Sequence, residues 1–145
     1  MNKRGFTLIE VLGAITILGI LFAIATPAVY RYFTKSQKDA YETLVKSCYE
    51  AAHSRAVKEG LYLQGTSAQV YYVEELYNMG YMDRPADPKD STKNCFNDGV
   101  VGNKSKVTIS LYGSGEIPSY KYVVDLRCPV TSKYDDVTTT WTTSD

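Results

Sequence analysis

Hydrophobic and polar positions divide the chain into three stretches with different periods. From Val11 to Tyr30 no residue is charged. Those 20 residues make about 30 Å of helix, enough to cross a bilayer. Beyond them the pattern becomes amphipathic. Tyr41, Leu44, Val45, Cys48, Ala51, Ala52 and Ala56 recur at spacings of three and four. Lys38, Asp39, Glu42, Lys46, Glu50 and Glu59 take the other face, and Gly60 is placed to end the helix. Unbroken from Phe6 to Glu59, such a helix would be about 80 Å long, too long for the interior of a 145-residue globule. Gly13 and Gly19 loosen it, and Pro27 predicts a kink or local melting near Ala23 to Pro27.

After Gly60 the pattern shortens. A helix is predicted from about Tyr72 to Gly80, and the polar segment from Asp83 to Asp98 reads as loop. Alternation predicts strands at Lys106 to Tyr112 and Tyr120 to Leu126, with Gly113 to Ser119 as the hairpin connection. Val137 to Trp141 offers a further strand. The expected class is α+β: a long N-terminal helix whose second half packs on a small antiparallel sheet.

Lys3 and Arg4 precede the uncharged span, which keeps the N-terminus cytoplasmic and exports the chain beyond Tyr30. A secretory signal cut at Ala23-Ile24-Ala25, a plain signal anchor and a buried core helix all compete for this pattern. The absence of a polar face disfavours the core helix. Glu10 disfavours the other two, because a carboxylate at membrane depth costs about 2 kcal/mol or more unless it is paired or reaches the interface.

Lys3-Arg4-Gly5-Phe6-Thr7-Leu8-Ile9-Glu10, followed by the apolar helix, resembles the processing site of type IV prepilins and pseudopilins. The resemblance is close over roughly the first 30 residues and looser beyond. It implies cleavage between Gly5 and Phe6 by a membrane prepilin peptidase, which also N-methylates Phe6. The parts are then a leader (1–5), a transmembrane and assembly helix (6–30) and an exported head (31–145). Glycine at the scissile position lets the backbone enter a narrow site. Loss of Lys3 and Arg4 leaves 14 basic and 16 acidic residues. Glu10 lies about one turn beyond Phe6, so the Phe6 amine of the same or a neighbouring subunit is the expected partner for its buried carboxylate. A Glu10 that merely snorkels to the head groups is the bland alternative. The resemblance further implies a helical filament, a homo-oligomer or a co-assembly with related pilins. A membrane platform and an assembly ATPase are implied partners, with the cytoplasmic membrane as residence before assembly and the cell surface after it. Gly19 and Pro27 fall where such proteins carry helix-loosening residues.

Composition adds exclusions. Sixteen basic residues balance sixteen acidic ones, with no basic excess to suggest nucleic-acid binding. The lone His53 cannot supply two imidazoles, and it reads as a surface or boundary residue. Neither a phosphate cradle nor a nucleophile elbow is present, so no enzyme activity, cofactor or metal is expected. Some pseudopilins hold calcium in a head loop, but the oxygens between Asp83 and Asp98 match no EF-hand spacing and read as turn residues. Proteins of this family often tie down the C-terminal region with a disulfide, which implies Cys95–Cys128. A bridge using Cys48, or none, stays open. The 13 tyrosines suit sheet packing and subunit contacts better than a ligand-binding surface.

Overall fold

The computed structural model describes residues 7–60, 68–112 and 119–143. Helix α1 runs Leu8–Glu59, followed by β1 (Ala68–Tyr72), α2 (Val73–Asn78), β2 (Ala86–Asp87), β3 (Asp90–Asn94), β4 (Lys106–Tyr112), β5 (Ser119–Asp125) and β6 (Thr140–Thr143). The chain divides into two units, Met1–Ser36 and Gln37–Asp145, and α1 contributes to both. The class is α+β.

In the first unit every residue from 7 to 36 is exposed. Threonine hydroxyls past the first turn bond back to the helix itself. The hydroxyls of Thr16 and Thr26 donate to the carbonyls of Leu12 and Phe22 at 2.7 and 2.6 Å. Without these bonds the hydroxyls would carry a desolvation cost in hydrocarbon.

The second unit holds the core. Antiparallel strands run in the order β1-β4-β5-β6. Register places Tyr71 opposite Val107, and Val107 opposite Val124. Ile109 faces Tyr122, and Tyr122 faces Trp141. Period-two alternation thus puts one row of apolar side chains on the inner face. Against it packs the α1 stripe Tyr41, Val45, Cys48, Ala51, Ala52 and Ala56, all buried. Alanine fills three of these six positions, so this part of the stripe presents small side chains to the core. The Tyr41 hydroxyl donates to the Leu126 carbonyl at 3.1 Å. The Tyr49 ring stacks on Trp141 at 4.8 Å and meets Tyr122 edge-on at 5.2 Å, which fastens the edge strand β6 to α1.

Several elements depart from their sequence signals. β1 was hidden in the apolar lead-in to α2. Only Tyr71 in it is buried, so its alternation is too short to register. Asp83 to Asp98 is not all loop: β2 and β3 pair antiparallel within it. β3 carries no apolar residue. Arg84 instead donates to the Thr92 carbonyl at 3.0 Å and to the Asn94 side chain. The last strand begins at Thr140 rather than Val137, which is buried as a plug in the core. α2 stops before Gly80, whose φ of 77° lets the Tyr81 amide return to the Leu76 carbonyl at 3.0 Å. The connection between β4 and β5, at 113–118, lies outside the described residues.

Cys95 and Cys128 form a disulfide, with Cα atoms 4.1 Å apart. It ties the residue after β3 to the segment after β5. Cys48 is free and fully buried. Burial pushes its thiol up to about 12, so it packs as a small apolar group.

Candidate functional site

The features with functional content lie in the N-terminal segment. Gly5 and Phe6, the expected cleavage and methylation residues, fall outside the described residues. The segment is described from Thr7, which caps α1. The carbonyl of Thr7 accepts the first helical hydrogen bond, from the Val11 amide at 3.3 Å. The amide and the hydroxyl of Thr7 both donate to Glu10 Oε2 at 2.8 Å, and the Glu10 amide donates to Thr7 Oγ1 at 3.3 Å. This is a reciprocal capping box. Sequence reasoning assigned Glu10 to filament assembly and missed its capping role, although Thr-x-x-Glu before an apolar run is a legible sequence signal for one. The box holds the Glu10 carboxylate beside the backbone of Thr7, the residue directly after Phe6.

Past the box, the helix is apolar on all sides. Leu8, Ile9, Leu12, Ile15, Leu18, Leu21, Phe22 and Ile24 are each at least half exposed. By length and composition α1 can cross a membrane, and its apolar window buries nothing within the chain. Gly19 and Pro27 both lie inside α1, which continues as helix on either side of them. Added Cβ atoms at Gly13 and Gly19 would meet nothing within 4 Å, so no contact within the chain requires glycine there.

The head's candidate groups are occupied by structural bonds. Asp87 is buried at 2% exposure. Its carboxylate accepts from the amides of Lys89, Val130 and Thr131 at 2.9, 2.8 and 3.0 Å, and from the Thr131 hydroxyl. Burial raises the Asp87 carboxyl, but these donors outweigh it and hold the group below the usual carboxylate range. Sequence reasoning took Asp87 for a solvated turn residue. Val130 and Thr131 lie 43 and 44 residues away, so no local pattern could expose the pairing. Asp87 also lies near Cys95 and Cys128, an arrangement that brings three metal-type ligands together. The disulfide consumes both thiolates, which removes the donors a soft metal would need.

Asp98 and Asp125 line a cleft together with Arg127, which is 3.4 and 3.1 Å from their carboxylates. Asp90 and Asp98 also accept amides of their own turns, from Thr92 at 3.1 Å and Val100 at 3.0 Å. His53 Nδ1 lies 3.1 Å from the Tyr122 hydroxyl inside the aromatic cluster, a boundary position as the sequence implied. Tyr71 donates to Glu59 at 2.7 Å. Burial and that carboxylate push the phenol up to about 12.

Searches of curated proteins and of solved structures return no match for the chain. Residues 1–26 match the family model described as the prokaryotic N-terminal methylation motif. The match spans Gly5 and Phe6, the Thr7–Glu10 box and most of the apolar run. It implies processing by a prepilin peptidase, and the apolar helix behind it fits membrane anchoring before assembly. On an α+β layout of long helix and antiparallel sheet, this chain carries the N-terminal signature of type IV pilins.

Proposed function

We propose that the protein is a structural subunit of a type IV pilus or pilus-like filament. Peptidase cleavage occurs after Gly5, the same enzyme methylates the Phe6 amine, and the mature chain polymerises through its N-terminal helix. One observation carries this reading. The motif of residues 1–26 leads into a helix whose residues 7–36 are all exposed, joined to a head with its own core and disulfide. So much apolar surface requires lipid before assembly and other copies of the helix after it.

Moving from lipid to a helical bundle exchanges one apolar surroundings for another. Packing and polar pairing must therefore supply the specificity. In the proposed filament, Glu10 pairs with the Phe6 amine of its own or a neighbouring subunit. Before that, the Thr7 amide and hydroxyl already satisfy one carboxylate oxygen. Gly19 and Pro27 are the proposed points at which the helix bends or melts when copies pack together. Pro27 has no amide hydrogen for the Ala23 carbonyl, so melting sacrifices one bond fewer there. An assembly ATPase and membrane platform would supply the work of extraction. The proposed end location is a surface filament, and the proposed role is structural rather than catalytic.

The experiment is to shear surface filaments, sequence the N-terminus of the subunit and measure its mass. N-methyl-Phe6 supports this reading. A chain beginning at Thr26 would instead indicate a secreted module with a conventional signal cut after Ala25.

A further inference from the structure

Where the uncharged run ends, α1 changes character within six residues. Tyr30, Tyr32 and Phe33 are exposed at 73, 72 and 58%. Arg31 and Lys35 are exposed between and beyond them. They are four residues apart, and so neighbours on one helix face. Among the described residues neither has an ion-pair partner. Lys38, three residues further on, is by contrast bonded to Asp136.

This placement runs against the topology of the segment. With Lys3 and Arg4 on the cytoplasmic side, the positive-inside bias disfavours cations close to the exported end of the span. Two unpaired cations there call for a compensating anion. The aromatic residues give their depth. Val11 to Val29 is 19 residues, about 29 Å of helix, which matches the roughly 30 Å hydrocarbon core. Tyr30 therefore begins at the outer head-group level, where amphipathic aromatic rings concentrate.

We propose that Tyr30 to Lys35 is a binding site for one anionic phospholipid of the outer leaflet. Arg31 engages its phosphate through the planar guanidinium, and Lys35 adds a second cation one turn along. Tyr30, Tyr32 and Phe33 fix the helix at glycerol depth. The inference rests on the reading that α1 spans the membrane before assembly. It adds the partner of the exported flank and a reason for those cations. The lipid must be shed when the subunit leaves the bilayer, so the site sets the depth at which the assembly machinery meets the chain.

The test uses the full chain in detergent, with native mass spectrometry in the presence of equal phosphatidylglycerol and phosphatidylcholine. The background is Lys3→Gln/Arg4→Gln, which removes the leader cations. Phosphatidylglycerol adducts should exceed phosphatidylcholine adducts about thirtyfold, in keeping with two surface cations. Adding Arg31→Gln/Lys35→Gln should abolish the preference, and adding Lys46→Gln/Lys58→Gln should leave it intact. Equal retention of both lipids, or a preference that survives Arg31→Gln/Lys35→Gln, would overturn the site. Loss of the preference on adding millimolar inorganic phosphate would overturn the lipid assignment in favour of a free anion. Flotation with phosphatidylcholine vesicles separates the two levels of the argument. A chain that floats without lipid preference refutes the site alone, and one that does not float refutes the membrane span as well.

Discussion

Glu10 has one role in the structure and another in the proposed filament, and one pair of substitutions separates them. In the structure it closes a capping box with Thr7 through contacts of 2.8, 2.8 and 3.3 Å. In the proposed filament it neutralises the Phe6 amine. Glu10→Gln keeps a side-chain carbonyl that can accept the Thr7 amide, so the cap survives, but the ion pair is lost. Thr7→Val keeps the charge and the branched shape but removes the hydroxyl, and with it two of the three contacts. Losing the cap costs about 1 kcal/mol, roughly fivefold. Removing one partner of a buried ion pair costs about 3–5 kcal/mol, on the order of a hundredfold or more. If pairing governs assembly, Glu10→Gln should nearly abolish filaments while Thr7→Val reduces them only a few-fold. The assay compares mature subunit in the membrane with subunit in sheared filaments, after immunoblots confirm that both variants are cleaved. Normal filament yield from Glu10→Gln, with a larger loss from Thr7→Val, would show that Glu10 acts through the helix cap and would refute the pairing.

Further outcomes test the leader and the head. Gly5→Val puts a branched side chain at the scissile position and should leave full-length precursor in the membrane on immunoblots; mature protein of wild-type mass would place the cut elsewhere. Non-reducing peptide mapping should link Cys95 to Cys128, with Cys48 alkylated only after unfolding, because that thiol is fully buried. Cys95→Ser/Cys128→Ser opens a loop of 33 residues and should lower stability to urea by about 3–4 kcal/mol. Asp87→Asn removes the charge and one of the two acceptor oxygens that hold Lys89, Val130 and Thr131, and should cost about 1.5–3 kcal/mol at neutral pH. Because the folded state lowers the Asp87 carboxyl, its contribution is present above the unfolded pKa and lost as pH falls through the folded one. The gap between wild type and Asp87→Asn in urea titrations should therefore narrow in acid, and a gap constant down to strongly acidic pH would contradict this account.

How much of this was legible depends on the range of the interactions. The α1 stripe from Tyr41 to Ala56 and strand β4 were readable because each repeats a period over enough residues to stand out. The 3.6 and 2.0 periods arise from local geometry alone. β1 and the β2–β3 ribbon were not readable. One has a single buried residue, and the other is held by Arg84 rather than by apolar alternation. In the candidate site, Gly5, Phe6 and Glu10 were recognisable as a string of adjacent residues. The Thr7 cap is written in the same string as Thr-x-x-Glu, where a single carboxylate is at once a charge in an apolar segment and a hydrogen-bond acceptor for the first turn. The Asp87 carboxylate could not be placed, because its partners are assembled by the fold.

In the proposed function, cleavage after Gly5 creates the end by which this chain enters a filament. The most direct measurement is the mass of the N-terminal peptide of the subunit in filaments sheared from the cell surface. A peptide beginning at Phe6 and carrying one methyl group on its amine is the expected result. An unmethylated peptide beginning at Met1 or Thr26, or sheared filaments that lack this chain while it accumulates in the membrane, would contradict it.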